Sequence, residues 1–102
     1  MIRATTPKHI FTFPETVDPF SCRQILITYK QNGRIVLELQ KSDLEINGQI
    51  VSYALSQEQT RSFSPHHKAS VQVRVLTPEG SALASEIEEI EIRNVLNDEV
   101  LR

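Results

Sequence analysis

One cysteine and three histidines are the side chains of this sequence with the broadest chemical repertoire. His66 and His67 stand side by side in "RSFSPHHKASVQVRV", after Pro65 and ahead of alternating valines. A transition-metal site needs three or four ligands, and side chains converge when they share one face of a strand or helix. Neighbouring residues point apart, His9 is far off in sequence, and Cys22 has no second thiol. The histidine pair therefore reads as polar residues of a solvated turn. Nucleophilic chemistry at Cys22 would need a base and a group to orient it. In "FSCRQ" only Arg23 is adjacent, so a structural cysteine is the expectation.

Ser56, Ser64 and Ser70 lack the strand–turn–helix elbow of a hydrolase serine. Three glycines in the whole chain cannot build a glycine-rich phosphate loop. The acidic run Glu86, Glu88, Glu89 and Glu91 alternates with isoleucines, unlike the mixed oxygen ligands of a calcium loop. It reads as a solvated face, or as a sheet edge kept from pairing by charge. Asp43 and Glu45 form another acidic pair with no partner for acid–base work. Tyr29 and Tyr53 could make a platform for sugar, but core positions suit them better in a chain with no tryptophan. No catalytic, cofactor-binding or metal-binding residue is assigned, and an enzyme is not expected.

Elements of ordinary globular composition must carry these residues. A length of 102 residues sets a single domain, residues 1–102, with room for one modest core. The formal net charge of −2 supplies no basic field for nucleic acid or an anionic membrane. No run approaches the length of a membrane helix, and "MIRATTPKHIF" has no apolar core of a secretory signal. With a single cysteine, a reducing cytosol is the expected setting.

Period-two patterning dominates. "KHIFTF" places Phe11 and Phe13 on one face, and Pro14 ends it. "RQILITYK" aligns Ile25, Ile27 and Tyr29, then Asn32-Gly33 supplies a tight hairpin turn. The return "RIVLELQ" is expected to turn Ile35, Leu37 and Leu39 inward. Asn47-Gly48 is read as a second turn, between strands Leu44–Ile46 and Gln49–Leu55. Ser56 with Gln59 has capping-box spacing, which predicts one short helical turn near residues 56–62 before Pro65. "ASVQVRVL" aligns Val71, Val73 and Val75, and Thr77-Pro78-Glu79-Gly80 is a turn.

"ALASEIEEIEI" fits a helix through Leu83, Ile87 and Ile90, or a strand in which a bulge near Glu88-Glu89 aligns Ile87, Ile90 and Ile92. The valine strand needs a hairpin partner, so strand is the reading. The whole is an all-β protein, an antiparallel Ig-like sandwich of about seven strands, with a barrel as the competing closure. Residues 94–102, "NVLNDEVLR", are either a last strand or an extended C-terminal arm. Val95, Leu96, Val100 and Leu101 are its candidate partner contacts.

Several segments carry a resemblance: "IRATTPKHIFTFP", "ITYKQNGRIVLE", "LSQEQTRSF", "VQVRVLTPEGSALASEI" and "VLNDEVL". Through them the chain resembles a family of small proteins encoded among the tail and tail-fibre genes of prophages in Gram-positive bacteria. In length and strand rhythm it is also similar to the immunoglobulin-like N-terminal domain of phage baseplate upper proteins. The resemblance implies a non-enzymatic structural or assembly role through contacts with tail or baseplate proteins, or with further copies of itself. It also implies the host bacterial cytoplasm during assembly as its setting, with retention in the virion and departure after assembly as the two alternatives. The acidic "EIEEIEI" departs from the family, whose members carry neutral residues there. A stand-alone module binding carbohydrate or a host protein is the alternative.

Overall fold

The computed structural model describes residues 1–102 and builds them into two antiparallel sheets. The strands are β1 (Lys8–Thr12), β2 (Gln24–Gln31), β3 (Arg34–Gln40), β4 (Glu45–Asn47), β5 (Ile50–Ala54), β6 (Ala69–Leu76), β7 (Ala82–Ala84) and β8 (Glu88–Ile90). A single short helix, α1 (Gln57–Arg61), links β5 to β6. One sheet has the order β1-β5-β4; the other has β3-β2-β6-β7, with β8 also on β6.

Strands consecutive in sequence thus change sheet between β1 and β2, β3 and β4, and β5 and β6. This is the immunoglobulin sandwich order, with β1 standing where the second strand of that fold does. The position of the first strand, beside β1, is empty of any regular strand. Residues 1–7 instead touch the far end of the chain through a parallel bridge between Ile2 and Arg93.

Alternation explains the core. Ile25, Ile27 and Tyr29 of β2 are fully buried, as are Val51 and Leu55 from the opposite sheet and Phe63 after the helix. The Tyr29 ring meets Phe63 edge-on, with centroids 6.0 Å apart. The helix begins where the capping box places it: Ser56 Oγ accepts from Gln59 N at 3.1 Å, and Gln59 Oε1 accepts from Ser56 N at 2.9 Å. Thr60, fully buried, ties the helix to the N-terminal segment, its Oγ1 donating to Thr5 O and accepting from Thr5 N.

Five details differ from the sequence expectations. Ile35 is 58% exposed rather than inward. The register passes from Tyr29–Leu37 to Lys30–Ile35, so Val36 is an extra residue on β3. Such a bulge reverses the alternation on one side of it. The second hairpin turns at Gly48-Gln49, one residue later than read, because Gly48 has φ +60° and takes the first central position of the turn. Leu44 accordingly caps a 3-10 turn and the strand begins at Glu45.

The valine strand does receive a hairpin partner, but in two pieces, giving eight strands instead of about seven. Between them Ser85 N donates to Val73 O at 2.8 Å, and Ser85 Oγ accepts from Val73 N at 3.0 Å. A side-chain hydroxyl thereby replaces a ladder carbonyl and breaks the strand. Ile87, just past the break, is 63% exposed and does not join Ile92 in the core.

Candidate functional site

His66 and His67 are exposed in a turn, where His66 has φ +67°. His9 is half-buried on β1, its Nδ1 2.6 Å from Tyr29 Oη. Burial lowers the His9 pKa below its ordinary 6.5, and the terminal ammonium adds to this. Burial also pushes the Tyr29 hydroxyl well above its ordinary range. The two therefore meet as neutral partners in a hydrogen bond.

Cys22 is almost completely enclosed, with its thiol directed at Asp18 O and its pKa raised by burial. Tyr29 is fully buried and offers no surface to a sugar, whereas Tyr53 is half-buried and bonded to Gln59. Glu86, Glu88, Glu89 and Glu91 are all exposed. Glu89 pairs with Lys68 and Glu91 with Arg93, while Glu86 and Glu88 stand without a cation. No three histidine, cysteine, aspartate or glutamate side chains gather closely enough to hold a metal ion.

Residues 94–102 form no regular strand and lie back along the domain. Two side chains hold them. Arg3 donates to Asn94 Oδ1 at 2.6 Å and reaches Asp98 Oδ2 at 3.4 Å, while its remaining donors cap Phe63 O and Arg61 O. Gln57 grips Leu101 at both backbone groups, donating to its carbonyl and accepting from its N–H. The four candidate contacts divide accordingly. Val95 and Val100 are half-buried, and Leu96 and Leu101 project into solvent. Neither Arg3 nor Gln57 stands out in the sequence, since a clamp formed across so many residues has no local pattern.

A further feature, absent from the sequence reading, is a cleft of about 480 Å³ along the open flank of the sandwich. Phe11 and Phe13 of the first sheet face Val71, Val73 and Val75 of the second across it, and Leu83 forms the outer lip. Gln49 braces one end from behind, donating to Pro14 O at 2.6 Å and Val17 O at 2.9 Å. Glu86 and Glu88 supply its only charges, and no lysine, arginine or histidine lines it.

No family model, curated protein or solved structure matches the chain. No helix is long and apolar enough to cross a membrane. The two most prominent surface features are an anchored tail with projecting leucines and an apolar cleft with an acidic rim.

Proposed function

We propose that this domain is a non-enzymatic structural or assembly part of a phage tail or baseplate, acting through protein–protein contacts. The observation that carries the contact role is the C-terminal segment, where Leu96 and Leu101 are exposed although Arg3 holds the Asn94 and Asp98 side chains and Gln57 holds the Leu101 backbone. Apolar side chains presented on an already ordered backbone lose less entropy on docking than those of a free arm. Val95, Leu96, Val100 and Leu101 are the contact residues in this reading. The phage setting is supported by the resemblance in the hairpin, helical-turn and valine-strand segments. Repetition in a symmetric particle multiplies even small contacts of this kind.

The test is quantitative mass spectrometry of purified phage particles from the induced source strain, beside the cell lysate. Presence in particles at a ratio comparable to tail components supports a structural part. Abundance in the lysate with absence from particles refutes a virion component and leaves an assembly factor. A Leu96→Asp, Leu101→Asp variant is expected to fold normally and to drop out of the particles or of the assembly complex.

A further inference from the structure

The four edges of the two sheets are not alike. The β3 edge carries a bulge together with exposed Arg34 and Glu38, and β4 is only three residues long. Bulges, charges and shortness are the devices that keep edges from pairing with other chains. The other two edges, β1 and β7, flank the cleft. On β7, Ala82, Leu83 and Ala84 carry no charge, and on β1 only Lys8 does, where it already pairs with Glu45.

The peptide groups on these edges are free. Phe13 N donates to Gln49 O and Leu55 N donates to Pro7 O, so the odd-numbered residues of this segment bond to β5. Antiparallel alternation then turns the N–H and C=O groups of Lys8, Ile10 and Thr12 away from β5, toward the empty position beside β1. Below that position the cleft leaves Phe11 and Val73 only partly buried.

We propose that this cleft is the docking site for an extended segment of a partner protein, added as a strand beside β1. The segment has apolar side chains at alternate positions and lysine or arginine where it passes Glu86 and Glu88. Main-chain bonds to Lys8, Ile10 and Thr12 supply the pairing, and alternate side chains fill the cleft over Phe11 and Val73. Charge selects the occupant. Both lining carboxylates lack a cation, and nothing else in the cleft is charged. A second copy's tail is a poor occupant, since Asp98 and Glu99 would bring like charge to the same rim. β1 is preferred over β7 because it presents five residues rather than three.

The proposal rests on the reading of this domain as a protein-contact part, but its test does not require a particle. The full chain, isotopically labelled, is titrated with a synthetic peptide of about seven residues in which valines alternate with threonine and lysine. A second peptide carries glutamate in place of each lysine. The expected result is saturable shift changes along the cleft and slowed amide exchange at Ile10 and Thr12. The basic peptide should bind about tenfold more tightly than the acidic one, a preference that shrinks with salt. The Glu86→Gln, Glu88→Gln variant, altered only at exposed positions, should lose that preference. The proposal is overturned by equal binding of the two peptides, by protection confined to Ala82 and Ala84, or by no saturable binding. Self-association of the chain through β1 would overturn it as well. A negative result here leaves incorporation into particles standing, and a protein absent from particles can still bind the peptide.

Discussion

Gln31 sits at the end of β2, 5% exposed, with three of its four hydrogen-bonding positions in use. Its Nε2 donates to Ser64 O at 2.8 Å and His67 O at 2.9 Å, and its Oε1 accepts from Ser64 N at 2.7 Å. The side chain thereby holds the loop that carries Phe63 into the core and His66 into its turn. Replacing Gln31 by glutamate keeps the shape and the acceptor for Ser64 N, but turns a carboxylate oxygen toward two carbonyls. Two bonds are lost at about 1 kcal/mol each, and the charge repelled by those carbonyls adds about 1 kcal/mol more, giving roughly 3 kcal/mol. For a domain of this size that lowers Tm by roughly 10–20 °C. Burial and the carbonyls would raise the pKa of the introduced carboxyl in the folded state above its unfolded value. The folded state then binds the extra proton, so the deficit is largest at neutral pH and shrinks as pH falls toward about 4.3. Gln31→Met, which removes the polar atoms, should show a deficit that does not vary with pH relative to wild type. Urea denaturation of the three proteins between acid and neutral pH reads both signs. A Gln31→Glu deficit below about 0.5 kcal/mol at neutral pH, or one independent of pH, would refute the reasoning.

Other contacts yield shorter tests. Thr60→Val keeps the shape but leaves Thr5 N–H and C=O without their partner, and should cost about 1–3 kcal/mol in denaturant unfolding. Because the folded His9 pKa lies below 6.5, the unfolded state binds more protons as pH falls through that value. Stability should therefore decline through and below 6.5 and be fully present above it, and His9→Gln should flatten that part of the profile. Cys22, enclosed and with a raised pKa, should react with a maleimide only as fast as the domain opens, so labelling should rise steeply with urea. Gln57→Ala should speed amide exchange at Leu101 while changing global stability by less than about 1 kcal/mol.

What was legible in the sequence is what rests on local periodicity. Ile25, Ile27 and Tyr29 had to lie on one face, Asn32-Gly33 had to turn, and Ser56 with Gln59 had to start a helix. Each signal is contained within a few residues and agrees with the tertiary packing. The misread positions fail for a common reason. Ile35 follows an alternation that one extra residue at Val36 reverses, and Ile87 follows a bulge expected near Glu88-Glu89 where the ladder instead breaks at the hydroxyl of Ser85. Neither residue type announces such an interruption. Gln31, Arg3 and Gln49 are harder still, because each is an ordinary polar residue whose partners are backbone carbonyls far along the chain. The cleft was out of reach altogether, since it depends on which strand positions of the sandwich are left empty.

That vacancy has a structural logic. A sandwich lacking a strand beside β1 would ordinarily leave the flank between its sheets loose, with core side chains facing water. Here the flank is braced at both ends without being closed. Gln49 ties the loop after β1 to the β4–β5 turn, and Arg3 ties the N-terminal segment to the region after α1 and to the tail. Both braces use side-chain donors on carbonyls, which supply order without apolar filling. The middle stays open over Phe11 and Val73, and the Pro14 and Val17 stretch of one wall is held in place by Gln49. A wall fixed in advance is what an added strand needs, because the binding energy is then not spent on ordering the receptor. Removing one brace by Gln49→Ala should weaken peptide capture more than Glu86→Gln does, as it loosens the Pro14 and Val17 stretch of the wall rather than removing one charge from the rim. Equal effects of the two substitutions would mean that the walls are set by the core alone.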